Sequence, residues 1–254
     1  MTIQTDTSPM LANGGRKIAL QAACTGAATS DPTADSRNKN CTFTRTAKGA
    51  IRATLRQTGT VYPMSVQVKT LHVGTNSVKV AASVKAFDTA AGTVDIECIN
   101  EACPAQVSYA KAADAAANTA TAETVILQLP AACTIASAEI LPTASVTADA
   151  SNNASITLMG YTAAGGSVKT LATLVTDVAG GSWTAFVKKS MTLTATTADL
   201  DREADSVITL TITKGGSGVQ LPAAVYRVTL DRHIDLTTSE KLHLDIVISE
   251  YAGV

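Results

Sequence analysis

Lys214 precedes three glycines in SVITLTITKGGSGVQLP, residues 206–222, and this combination suits either a phosphate cradle or the tip of a β-hairpin. A P-loop needs GxxxxGK[ST] between a strand and a helix, because loop amides and the helix N-terminus hold the phosphates together. Here the lysine comes before the glycines. After Gly216 and Gly218, Leu221 stands where a dinucleotide motif has its third glycine, and Pro222 and the strand-like AVYRVTL follow. KGGSG is therefore read as a hairpin turn. In AAGGSVKT, Val168 occupies the glycine position before Lys169-Thr170, so that stretch is read as a turn too.

The remaining candidates for chemistry are few. There are three histidines, His72, His233 and His243, each in or near a strand-like run. DRHID puts Asp231, His233 and Asp235 on one face of an extended segment, a spacing that could hold a metal, although polar residues on a strand face ordinarily meet water. TADLDREAD offers Asp199, Asp201, Glu203 and Asp205 without the DxDxDG pattern of a calcium loop, and reads as a solvated loop. Cys98 and Cys103 are not spaced as CxxC, and no second pair follows. No GxSxG, HExxH or serine–histidine–aspartate context occurs. A glycan hydrolase would need paired carboxylates, and nothing in the sequence brings together Asp177, Asp199, Asp201 and Glu203. No catalytic, cofactor-binding or metal-binding residue is assigned, no cofactor is expected, and the chain is read as non-enzymatic.

Composition narrows the class. The chain has 254 residues, enough for two ordinary domains; 46% are hydrophobic and only 4% aromatic, so the core must be built from Ala, Val, Leu and Ile. A formal net charge of -1 argues against a general nucleic-acid or anionic-membrane binder. MTIQTDTSPMLANGG has no basic region followed by an apolar one, and no apolar run is long enough to span a bilayer, so a soluble, cytoplasmically made protein is expected. Five scattered cysteines, Cys24, Cys41, Cys98, Cys103 and Cys133, read as mostly free thiols.

The elements follow from hydrophobic period. Residues 1–40 mix small and polar residues with Pro and Gly breakers and are read as an extended N-terminal arm, either a disordered tail or a segment ordered by a neighbouring subunit. Arg16, Lys17, Arg37 and Lys39 give it a basic bias suited to an acidic partner surface. From Cys41, alternation predicts strands: Ile51, Ala53 and Leu55 after a Lys48-Gly49 turn, then Val66 and Val68, then Val94, Ile96 and Cys98 after the hairpin FDTAAGTV. YAKAADAAANTATAET, residues 109–124, is a short helix or a linker and marks a domain boundary. Seven or eight short strands then run to AVYRVTLD, with breaks at DASNN, AAGG, AGGSW, DLDREA and KGGSG, the pattern of a β-sandwich or jelly roll. KLHLDIVISE alternates too strongly for a tail and must pair with something. Trp183, the only tryptophan, is read as core filling.

Segment 124–230, with VILQLPAACTIASAEILPTASVTADASNNASITL, GGSWTAFVKKSMTLTATTADLDREADSVITLTITKGGSG and VQLPAAVYRVTL, resembles the jelly-roll module of tailed-bacteriophage virion proteins. CTFTRTAKGAIRATLRQTG, with VYPMSVQVKTL and GTVDIECIN, is similar to small β-domains of phage capsid decoration or cement proteins. The fold expected is all-β: an extended arm (1–40), a small antiparallel β-domain (41–118, completed by strand 239–250), a jelly-roll β-sandwich (119–231), and a C-terminal segment (232–254) returning to the first domain. A jelly roll inserted into the first domain and a C-terminal strand swapped between subunits both satisfy this pattern. The resemblance implies a virion structural protein on the capsid surface, assembled in the host cytoplasm, a homotrimer whose partner is the major capsid protein, with no nucleic-acid or membrane partner. The alternative is a head or tail fibre module binding host-surface glycan through exposed aromatics near Trp183 or Tyr161.

Overall fold

The structure is a computed structural model that describes residues 16–27, 29–36, 41–55, 61–72, 80–88 and 90–250. In chain order its elements are β1 (Arg16–Thr25), β2 (Thr33–Ala34), β3 (Cys41–Ala47), β4 (Ala50–Leu55), β5 (Val61–His72), β6 (Val80–Asp88), β7 (Thr93–Asn100), β8 (Gln106–Lys111) and β9 (Ala122–Gln128). There follow β10 (Cys133–Pro142), β11 (Ala154–Tyr161), β12 (Lys169–Val175), β13 (Lys189–Ser190), β14 (Thr192–Leu193), a four-residue helix α1 (Thr197–Leu200), β15 (Asp201–Arg202), β16 (Val207–Lys214), β17 (Ala224–Asp231) and β18 (Glu240–Glu250). The fold is all-β, with four antiparallel sheets among the described residues. The chain divides into two units: residues 1–101 with 233–254, and residues 102–232.

The first unit packs sheet β2-β1-β18-β5 against sheet β3-β4-β7-β6. Its core is the inward half of each alternating strand: Ile51, Ala53 and Leu55 from β4, Val94, Ile96 and Cys98 from β7, and Leu242, Leu244 and Ile246 from β18. β3 and β4 are joined by the two-residue turn Lys48-Gly49, with Gly49 at φ +65°. FDTAAGTV joins β6 to β7, and Asp88 lies opposite Thr93. The C-terminal strand β18 lies between β1 and β5 within the same chain.

The arm expected over residues 1–40 differs from what is observed. Residues 16–25 form β1, which pairs with β18 along its whole length, from Arg16 opposite Glu250 to Thr25 opposite Lys241. The sequence carries the reason: Ile18, Leu20, Ala22 and Cys24 recur every second residue, and Ala22 and Cys24 are buried. Residues 1–15 lie outside the described residues.

The second unit is a jelly roll. One sheet runs β13-β10-β17-β8 with β15 added beside β10, and the other runs β14-β12-β11-β16-β9. In sequence order β8, β9, β10, β11, β12, β13, β16 and β17 are strands one to eight, and their spatial orders 6-3-8-1 and 5-4-7-2 are those of two interlocked Greek keys. The boundary expected near residue 118 therefore falls too late. β8 is the first jelly-roll strand and pairs with β17 from Gln106 opposite Thr229 to Lys111 opposite Ala224. The alanine-rich stretch between β8 and β9 contains no helix, because both its neighbours are committed to sheets and tertiary pairing overrides its propensity. Inward residues of both sheets, among them Ile135, Ile140, Ile156, Leu158, Ile208 and Val228, form one core around Trp183.

Candidate partner-binding surfaces

Lys214 has a structural job. Its side chain is 3% exposed, and its Nζ donates to Asp114 Oδ2 at 2.5 Å and to Asn118 Oδ1 at 3.0 Å. Asp114 also accepts from Lys111 Nζ at 2.8 Å and from the Leu221 amide at 2.9 Å. Burial by itself would raise the Asp114 carboxyl, but the hydrogen bonds from Lys111, Lys214 and Leu221 outweigh it and bring the group down to about 2. The glycines beside Lys214 do turn the chain, with Gly218 N–H donating to Gly215 O at 3.0 Å, but the turn is not a hairpin. β16 pairs with β11 and β9, while β17 pairs with β10 and β8, so the turn carries the chain from one sheet to the other. A Cβ at Gly218, where φ is +88°, would lie 2.1 Å from Asn118 O, so the backbone itself demands glycine.

DRHID does not gather its three side chains. Asp231 ends β17 in the second unit, whereas His233 and Asp235 belong to the first. His233 Nε2 pairs with Glu97 Oε1. Asp235 accepts a two-pronged bond from Arg45 Nε and Nη2, both at 2.9 Å, and a third from the Gly49 amide at 2.9 Å. These contacts fasten the β3–β4 turn to the segment leading into β18. The adjoining cleft, lined by Pro32, Arg45, Ile51 and Leu236, has about 10 Å³ of free volume, room for one water rather than a substrate.

The acidic run is likewise dispersed: Asp199 Oδ1 lies 3.3 Å from Lys169 Nζ, Asp201 accepts from the Thr134 hydroxyl, and Asp205 sits at φ +62° in a tight turn. Among the described residues no three His, Cys, Asp or Glu side chains are grouped to hold a metal. All five cysteines are buried, and none forms a disulfide. Cys24, Cys41 and Cys98 lie in the first core, where burial pushes each thiol up to about 12, whereas Cys103 and Cys133 lie in the second.

Neither aromatic site weighed for glycan stacking is free. Trp183 is 2% exposed inside the jelly-roll core. Tyr161 donates its hydroxyl to Glu123 Oε1 at 2.6 Å, and Glu123 accepts a second bond from Thr209 Oγ1 at 2.7 Å. Three residues beyond Trp183, however, lies a feature the sequence did not disclose. Phe186 is 74% exposed at φ +60°, and Val178 and Val187 in the same loop are 72% and 54% exposed.

That loop is held firmly. Trp183 anchors it in the core and exchanges two backbone bonds with Val146, at 2.8 and 3.1 Å. Phe186 N–H donates to Pro142 O at 2.8 Å, Ala185 N–H to Ser145 Oγ at 3.1 Å, and Ala148 N–H to Ser182 Oγ at 3.0 Å. A bulky residue in the left-handed region costs about 1–2 kcal/mol and persists only where its surroundings over-determine it. The geometry therefore presents an apolar aromatic to solvent at a conformational cost.

Of the four basic residues singled out for partner binding, Arg16 and Lys17 begin β1, opposite Glu250 and Ser249. Arg37 and Lys39 lie outside the described residues.

No protein family matches the chain, and no curated protein matches it. Solved structures with similarity include the VP2 subviral particle of infectious bursal disease virus, at 10% identity and TM-score 0.29 over 96% of this chain and 80% of that one. A carbohydrate-binding module of the β-sandwich superfamily follows at 7% identity and TM-score 0.21, over 91% and 94%. An alpha-amino acid ester hydrolase has 10% identity and TM-score 0.23 over 50% of this chain, which spans only 25% of the hydrolase. The likeness to the virus capsid protein is distant, and at these TM-scores none of the three supports an argument about what the chain does.

Proposed function

We propose that the protein is a non-enzymatic virion structural protein of a tailed phage, a decoration or cement protein that binds the assembled head as an oligomer and ties major capsid subunits together. The observation that carries this reading is the 176–188 loop, where Phe186, Val178 and Val187 are offered to solvent from a backbone fixed by Trp183 and hydrogen bonds to Pro142 and Ser145. Rigid exposed aromatics are the usual anchors of protein interfaces, because little entropy is lost when they are covered. A cement protein multiplies such a contact over many copies, so a modest anchor suffices. The sequence resemblance of residues 124–230 supplies the phage context, and the basic residues Arg16 and Lys17 suit an acidic capsid surface.

Phe186 also favours a second reading, a fibre module binding host-surface glycan, since an aromatic face at a loop tip can stack on a sugar ring. One variant distinguishes both from a purely structural loop. Phe186→Gly removes the ring and relieves the left-handed backbone, so stability holds or rises by up to about 1 kcal/mol. Under the cement reading the variant loses saturable co-sedimentation with emptied phage heads. Under the fibre reading wild type ignores heads and F186G loses retention on host polysaccharide. Unchanged binding to heads by F186G removes the loop from the account.

A further inference from the structure

The cluster around Lys214 holds the reactants of a condensation as well as an ion pair. Lys214 ends β16, whereas Asp114 and Asn118 lie in the stretch between β8 and β9, so the three meet only through the fold. That stretch is stitched to the turn after β16. Asp114 N–H donates to Leu221 O and Gln220 Nε2 to Asp114 O, both at 2.9 Å, and Asn118 forms a β-bridge with Val219. The Asn118 amide is fixed in orientation: its Nδ2 donates to Ala116 O at 3.1 Å, while its Oδ1 accepts from Lys214 Nζ at 3.0 Å and from the Ala120 amide at 3.1 Å. With a carbonyl bond of about 1.2 Å, Lys214 Nζ lies no more than about 4.2 Å from Asn118 Cγ, within roughly 1 Å of attacking distance. Asp114 Oδ2 stands 2.5 Å from the same nitrogen, and the lysine side chain is 3% exposed, so water competes poorly for the carbonyl.

We propose that Lys214 and Asn118 condense into an intramolecular isopeptide bond, with Asp114 as the proton relay. Asp114 takes a proton from the Lys214 ammonium and leaves a free amine. The amine lone pair attacks Asn118 Cγ, and the carbonyl π pair moves onto Oδ1, where the Ala120 amide donates. Oδ1 returns its pair as the Cγ–Nδ2 bond breaks. Asp114 hands its proton to the departing nitrogen and Nζ gives up one more, so that ammonium leaves and the carboxylate is restored. Nothing is oxidised or reduced, and no co-reactant is needed. Lys111 and the Leu221 amide favour the ionised carboxylate, so it keeps the borrowed proton only briefly and closure is slow; the ion pair is the state that precedes it. The bond would tie the linker before β9 to the end of β16 and close the chain between them, a constraint on the unfolded state. The inference does not depend on the proposed function.

The test incubates the full native chain until its mass stops changing, then reads the intact mass under denaturing conditions and maps the peptides. The expected result is a chain lighter by one ammonia, with a branched peptide joining Lys214 to Asn118 that survives reduction and resists trypsin after Lys214. Lys214→Met and Asn118→Ala should each keep the full mass, and Asp114→Asn should slow closure by about 100-fold or more. Where K214M fails to fold, N118A, which keeps the ion pair, and the wild-type map decide the matter. A wild-type chain that keeps its full mass overturns the proposal. So does an ammonia loss that persists in K214M, which marks a succinimide at Asn118 instead. Closure of D114N at the wild-type rate overturns the relay.

Discussion

Replacing Lys214 by methionine removes the ammonium from the most buried ion pair described in the jelly roll while keeping most of the side chain's volume. Lys214 is 3% exposed and Asp114 14% exposed, and Asp114 would keep only Lys111 and the Leu221 amide. Removing one partner of a buried pair costs about 3–5 kcal/mol, and the remaining lysine places this case near the lower end, about 3 kcal/mol. The pH dependence is a stricter check. The Asp114 carboxyl falls from an ordinary 3.8 to about 2 on folding, which contributes on the order of 2 kcal/mol. Because the folded value is the lower one, this stability is fully present above about pH 4 and is lost as pH falls through about 2. Urea denaturation of wild type, K214M and Asp114→Asn at pH 7, 4 and 2 reads both effects. The cost of D114N relative to wild type should shrink by about 2 kcal/mol between pH 4 and 2. A K214M cost below about 0.5 kcal/mol, or a D114N cost that does not change with pH, would refute the reasoning.

Two further predictions concern the first unit. Gly49→Ala forces a side chain into φ +65° and sets its Cβ 2.6 Å from Cys98 O and 2.8 Å from Ile234 N, so chemical denaturation should register a loss of at least about 2 kcal/mol. Cys24, Cys41 and Cys98, each raised to about 12 by burial, should resist iodoacetamide in the native chain at pH 8 and react fully in urea, as read by mass spectrometry. Rapid labelling of Cys41 in the native chain would contradict the assigned core.

Alternation made most of the strands legible. Ile51, Ala53 and Leu55, Val94, Ile96 and Cys98, and Leu242, Leu244 and Ile246 all fall on buried faces where a period of two places them. Three features were hidden for physical reasons. β1 was masked by the polar, breaker-rich residues on either side of its own alternation. β8 was masked because QVSYAK adjoins an alanine-rich linker, and only its pairing with β17 assigns it to the jelly roll. KGGSG reads locally as a turn whether its strands pair or diverge, and only the sheet order separates the two cases. The surfaces were less legible still. Nothing in the sequence singles out Phe186, whereas Trp183, three residues earlier, takes the core position expected of it.

Co-sedimentation of the full chain with emptied tailed-phage heads tests the proposed cement reading most directly, with F186G alongside wild type. The cement reading predicts saturation at a fixed copy number per head for wild type and a loss of binding for the variant at undiminished stability. Failure of the wild type to bind heads, together with its retention on host polysaccharide, would contradict that reading.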